Sequence, residues 1–232
     1  MTEIVTCSII IPVLNEADYL PIQLKRLQKW RDAGHEVIVV DGGSNDGSVE
    51  MAKPLVDRFI TAQKGRAVQM NKGAELANNG WLVFLHVDTL FSEAALNALQ
   101  IAFHNKEVKW GRFDVRLSGN GLLLGLVSSF MNIRSRLTGI ATGDQAIFVR
   151  KSVFDQVNGF PDIVLMEDID LSSQLKKISP PYCIADKVTT SSRRWREQGV
   201  VKTILMMWSL RLRYFFGVSP TVLAKHYNRA SK

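Results

Sequence analysis

Asp41 and Asp88 each close a short apolar run, VIVVD over 37–41 and FLHVD over 84–88. Runs of this kind read as strands of a parallel sheet covered on both faces, and the acid marks where the chain leaves the core. Parallel sheets bind ligands at that edge, so the two carboxylates are expected to converge on one ligand. Such an acid suits a sugar hydroxyl or a base N–H. Beside a diphosphate it needs a divalent cation, because two anions repel. A third acidic cluster, MEDIDL over 166–171, holds Glu167, Asp168 and Asp170. Successive helix positions diverge, so one of these faces a cleft, or the acids serve only to complement a helix dipole.

The stretch after Asp41, GGSNDGS, also has a plain reading as a βα turn. Gly42 and Gly43 would take backbone angles that other residues resist, and Ser44 or Asn45 would cap the next helix. It is neither a Walker loop, for want of a lysine, nor GxGxxG, which weakens kinase and dinucleotide readings.

The elements that must position these acids follow from periodicity. SIIIPV is a first buried strand, and Leu20, Leu24, Leu27 and Trp30 share one face of the next helix. EVIVVD is the second strand, SVEMAKPLV a short helix and RFITA a weaker third strand. KGRAVQMNKGAELANNG is a helix closed by Gly80, WLVFLHVD the fourth strand and SEAALNALQIAF another helix. Strand and helix alternate at βαβ spacing, so residues 1–105 read as an open, mostly parallel α/β sheet with helices on both faces. The second half is less regular. KWGRFDVRL is a strand, GLLLGLVSSFMNIRSRL helical or irregular, TGDQAIFVR a turn into a strand, and YCIADKVT the centre of two short strands. This half is expected to extend one edge of the same sheet, giving a single domain.

With 232 residues, 46% of them hydrophobic, the chain can bury a full core. Cys7 and Cys183 lie far apart in apolar contexts, without zinc or disulfide spacing, and are assigned to packing. The start MTEIVTCSIIIPV has an acid where a signal peptide wants a base, so a cytoplasmic protein is expected. The net charge of +7 is uneven. Residues 1–175 carry 17 Lys and Arg against 20 Asp and Glu, and residues 176–232 carry 12 against 2. A basic tail points to a polyanion, either nucleic acid or an anionic lipid surface. The charge-free stretches 117–133 and 203–210 fall short of the roughly 20 apolar residues of a spanning helix. Residues 198–217 instead read as an amphipathic helix with Lys202, Ser209 and Arg213 on one face. It would lie peripherally on the inner face of a membrane, or pack on the body or on the partner of a homodimer. Arg211, opposite the polar stripe, favours packing.

CSIIIPVLNEADYL, VIVVDGGSNDGS, KGRAVQMNKGAELANNGWLVFLHVDT, TGDQAIFVR, NGFPDIVLMEDIDLS and SSRRW, in this order over residues 6–197, resemble the family 2 glycosyltransferases of GT-A fold. Among these the chain is most similar to a small "transferase 2" subgroup associated with arsenosugar biosynthesis. The resemblance implies a GT-A domain over 1–197, with a nucleotide-binding half at 1–105 and an acceptor and catalytic half at 106–197, followed by a basic helical segment at 198–232.

It also implies roles. Pro12, Asn15 and Glu16 match the loop lining the nucleotide pocket, Asp41 the acid that bonds the base, usually uracil, and Arg66 and Gln69 contacts to the nucleotide and its phosphates. Asp88 matches the metal-binding acid of DxD, and His86 stands where many relatives have the first Asp. His86 is then a second ligand, suiting Mn²⁺ better than Mg²⁺, or a satisfied strand-end histidine. Asp168, next to Glu167, matches the catalytic base, and Arg194 and Trp195 the RW of QxxRW. Gly143, Asp144 and Gln145 fall on the acceptor side. Ser191 replaces the glutamine of QxxRW, which is typical of processive synthases, so transfer of a single sugar is expected.

The implied reaction is inverting transfer from a nucleotide-diphosphate sugar to a hydroxyl acceptor, aided by Mn²⁺ or Mg²⁺. Two rivals are weighed beside it. A nucleotidyltransferase would want a basic glycine-rich loop near the first strand, which IIPVLNEADY lacks. A nucleic-acid-binding module would want exposed stacking aromatics; Trp195, Trp208 and Tyr214 fit motif and core roles, so no nucleic-acid partner is expected.

Overall fold

The computed structural model describes residues 4–230; the outer ends of the two expected segments, 1–3 and 231–232, lie outside the described residues. In chain order the elements are β1 (Ser8–Val13), α1 (Leu20–Asp32), β2 (Glu36–Asp41), α2 (Ser48–Ala52), β3 (Arg58–Thr61), α3 (Arg66–Leu76), β4 (Trp81–Phe84) and β5 (Thr89–Leu90). There follow α4 (Ala95–His104), β6 (Trp110–Leu117), α5 (Leu122–Thr138), β7 (Ile147–Arg150), α6 (Lys151–Gln156), α7 (Glu167–Ile178) and β8 (Tyr182–Thr190). The chain then runs through α8 (Arg193–Gln198), α9 (Val200–Phe215) and α10 (Pro220–Ala230).

Among the described residues one sheet forms, ordered β3-β2-β1-β4-β7-β6-β8-β5. β1, β2, β3 and β4 run parallel, as do β6 and β8. The β4–β7, β6–β7 and β5–β8 pairings are antiparallel. Ile9, Ile11, Val37 and Val39 pack into one layer of core with α1 and α4, and Ile10, Ile38 and Val40 into the other with α3 and α7. Burial on both faces is what an unbroken β-branched run requires, each full aliphatic burial contributing about 1.5–3 kcal/mol. α3 sits close on β1 because Gly73 faces it: a Cβ there would lie 2.5 Å from Ile10 Cγ2.

The second half departs from the sequence reading in its details. β8 is one strand of nine residues where two were expected. Its register against β6 slips between Phe113 and Asp114, which leaves Ala185 and Asp186 unmatched and exposed, breaking the alternation that marks a strand. α3 stops at Leu76, short of Gly80. β4 ends at Phe84, so His86 and Asp88 stand in the turn beyond the strand, with Thr89 and Leu90 paired to the end of β8. The segment left open over 121–137 is the helix α5. α9 and α10 pack on the body through Leu210 and Leu223, which share a small core with Met166. Among the described residues no helix is long and apolar enough to cross a membrane.

Candidate active site

The C-terminal ends of β1, β2 and β3 are level, with Val13 opposite Asp41 and Asp41 opposite Thr61. Beyond this edge lies a cleft of two joined lobes. The smaller, about 300 Å³, is bounded by Pro12, Leu14, Glu16, Lys64, Arg66 and His86. The larger, about 550 Å³, shares Glu16, Arg66 and His86 and adds Asp88, Gly143, Asp144, Glu167, Asp168, Arg194 and Trp195.

Asp168 enters from the first turn of α7. Met166, with φ of 73°, turns the chain into that helix, and Oδ1 of Asp168 accepts the Ile169 N–H at 2.7 Å. Its Oδ2 accepts the Gly143 N–H at 2.9 Å. On the next residue, Asp144 Oδ1 lies 3.4 Å from Nδ1 of His86. Gly143 has no room for a side chain, since a Cβ would stand 2.3 Å from the His86 ring. The loop before β7 thus touches the base candidate on one side and the metal candidate on the other.

Acids crowd this cleft. Burial pushes the Asp88 carboxyl up; His86 opposes this, and the charge of Asp144 adds to it. Glu16 is raised by burial against the pull of Arg193, and Glu167 by burial and then by Asp168. Asp144 goes the other way: desolvation works against it, but the hydrogen bond and charge of His86 hold its carboxyl below the usual range. Desolvation and Arg66 lower Arg194, whose guanidinium lies 4.2 Å from the Tyr227 ring centroid.

Among the described residues no three His, Cys, Asp or Glu side chains are grouped as a full metal cage. The half-buried Asp88 carboxylate is the candidate ligand, and a cation on it would have to take most of its other ligands from a bound phosphate and water.

Other candidates stand behind the wall. The Asp41 carboxylate is buried and accepts the N–H groups of Gly43 and Ser44 at 2.9 and 3.1 Å, holding the GGS turn. Gln69 donates through Nε2 to Val13 O and Val40 O, both at 2.8 Å, tying β1 to β2 at the back of the small lobe. Gln145 is fully buried and closes a capping box with Thr142. Asn15, exposed with φ of 55°, joins its loop to the next one through Ser44 and Asn45. The structure therefore brings Asp88 and Asp168 to one cleft and sets Asp41 below its adjoining turn. Arg211 and Tyr227 also reach the large lobe, and sequence reasoning missed both. The position of Arg211 opposite the polar stripe of α9 was the available signal.

The profile of "Glycosyl transferase family 2" matches residues 8–154, more than half the chain. A "PGL/p-HBAD biosynthesis glycosyltransferase" of Mycobacterium bovis is 37% identical over 103 residues, 41% of this chain and 40% of that protein. "Glycosyltransferase AglE" of Haloferax volcanii is 28% identical over 170 residues, 67% of this chain and 56% of that protein. The matched part thus spans well under two thirds of these relatives. Among solved structures, the mannosyltransferase PcManGT of Pyrobaculum calidifontis, in complex with GDP-Man and Mn²⁺, superposes with a TM-score of 0.61 at 19% identity, covering 93% of this chain and 66% of that one. S. aureus TarS 1-349 in complex with UDP-GlcNAc gives 0.63 at 18%, covering 80% and 58%. These likenesses show the fold, which is GT-A, and with the profile match they make the chain a member of glycosyl transferase family 2.

Proposed function

We propose that the protein transfers a single sugar, with inversion, from a nucleotide-diphosphate sugar to a hydroxyl acceptor. The observation that carries this is the convergence of Asp88 and Asp168 on one cleft, joined by the Gly143–Asp144 loop. Family membership supports glycosyl transfer over the nucleotidyltransferase and nucleic-acid alternatives. The nucleotide sugars named for the structural neighbours, UDP-GlcNAc and GDP-Man, support a nucleotide-sugar donor, and the resemblance of the motifs supports UDP. The KGRAVQMNKGA and HVDT stretches support the transferase 2 subgroup associated with arsenosugar biosynthesis.

Labour divides along the sheet. Residues 1–105 would hold the nucleotide in the small lobe, with Pro12, Glu16 and Arg66 around it and Gln69 and Asn15 fixing the wall. Asp41, buried behind the turn it holds, would reach the base only if that turn moved aside; as placed, it sets the turn that presents main chain to the base. Residues 106–197 would hold the acceptor, and 198–232 would close the far side through Arg211 and Tyr227. Asp88, with His86, would hold Mn²⁺ or Mg²⁺, which when bound neutralises charge on the departing diphosphate. Asp168 takes the acceptor's hydroxyl proton as that oxygen bonds to the anomeric carbon and the bond to the diphosphate breaks. The Gly143 N–H aims its carboxylate, and Arg66 and Arg194 offset the leaving charge.

A thermal-shift panel of nucleotide sugars with and without Mn²⁺ tests this reading. A UDP-linked donor should raise the melting temperature, the rise should shrink on chelation, and Asp88→Asn should lose the metal-dependent part. A donor shift indifferent to chelator and to Asp88→Asn rejects the cation assignment.

A further inference from the structure

α5 and α9 share a small apolar core with Leu117 and Trp195, to which α5 gives Leu124, Val127 and Met131 and α9 gives Val200 and Ile204. Each turns a second apolar stripe outward. On α5 this is Leu122, Leu126, Phe130, Ile133 and Leu137, spaced by three or four residues, with Phe130 66% exposed. On α9 it is Leu205, Trp208, Leu212 and Phe215, with Trp208 63% exposed. Single exposed apolar residues are ordinary, but two neighbouring helical rows of them mark an interaction surface.

The charges beside these rows identify the partner. Neither helix contains an Asp or a Glu; Arg136 of α5 is held by Asp114, and Arg134 and Arg211 turn inward towards Asp168, while α9 carries Lys202 and Arg213 beside its stripe. A symmetric contact with a second copy would set these cations against themselves. Anionic headgroups would match them, and the acyl boundary would take the apolar stripes. Neither helix is long and apolar enough to cross a bilayer, so the helices would lie along its surface. We propose that α5 and α9 form a docking face for an anionic phospholipid bilayer, with Phe130, Trp208 and their stripes entering the interface and Lys202 and Arg213 meeting phosphate.

Co-sedimentation of the full chain with phosphatidylcholine vesicles, with and without phosphatidylglycerol, tests the proposal. Binding should require the anionic lipid and weaken as salt rises. Phe130→Glu with Trp208→Glu should weaken it at least about tenfold while the melting temperature and its shift with donor stay in place. Should that pair unfold, Lys202→Glu with Arg213→Glu should likewise weaken binding about tenfold. Equal sedimentation of wild type and a folded variant, or none by either, overturns the proposal. So does a dimer in light scattering that Phe130→Glu and Trp208→Glu abolish, since a second copy would then cover the face.

Discussion

The main-chain N–H of Gly143 donates a 2.9 Å hydrogen bond to Oδ2 of Asp168, 25 residues further along the chain. Because Asp144 reaches His86 from the same loop, the Asp168 carboxylate and the His86 ring are held by one short piece of backbone.

Asp168→Asn leaves an oxygen to accept from Gly143 but none that can take a proton at neutral pH. Turnover should fall about 10³-fold, the span of a lost general base. Nucleotide affinity, measured by calorimetric titration, should stay within a factor of about three, since Asp168 touches no donor group in the proposed arrangement. Substantial turnover in the variant would move the base elsewhere.

Gly143→Ala would place a methyl carbon 2.3 Å from the His86 ring, so the ring or the loop must shift. Overpacking of this kind costs about 1–3 kcal/mol. Chemical denaturation should show that loss, and metal-dependent stabilisation by the donor should drop with it. Gly125→Ala is the contrast: it lies in α5 with nothing within 4 Å of the added carbon. There the gain in helix propensity should stabilise the fold by about 0.5–1 kcal/mol. Equal effects at the two sites would show that the contact with His86 carries no weight.

His35 gives the fold a pH dependence separate from the cleft. Its ring is buried, Nδ1 accepts the Cys7 N–H at 3.1 Å, and burial lowers its pKa to about 4. Protons therefore bind the unfolded chain first as pH falls. Stability from this group is full above about pH 6.5 and drains away towards pH 4, by up to about 3 kcal/mol. Denaturant titrations of wild type and His35→Gln across that window should diverge, the variant having the flatter slope. Parallel slopes would mean that the ring titrates alike folded and unfolded.

The strands that build the floor of the cleft were legible because β1, β2 and β4 are buried on both faces and carry unbroken apolar runs. β8 was not, since its bulge puts Ala185, Asp186 and Lys187 in solvent and hides the period. α5 resisted reading for a different reason: apolar residues occupy its outer as well as its inner face, so no amphipathic pattern survives. Within the site, topology predicts that Asp41 and Asp88 converge at one edge; Asp88 does reach the cleft, where it meets Asp168, whose place only the family resemblance implied, while Asp41 stays behind the wall. That Asp41, Gln69 and Gln145 would spend their polar atoms on main chain could not be anticipated. Sequence gives a side chain's bonding capacity, and only the folded backbone shows which amides and carbonyls lack partners.

α9 turns Met207, Leu210 and Arg211 to the cleft and its apolar stripe away from it. A helix with its side chains is about 10 Å across, so the proposed lipid face and the mouth of the cleft are one helix apart. An acceptor tethered in a bilayer would reach Asp168 by lateral diffusion. Its encounter rate would then depend on how densely it populates the surface, with bulk concentration counting for little.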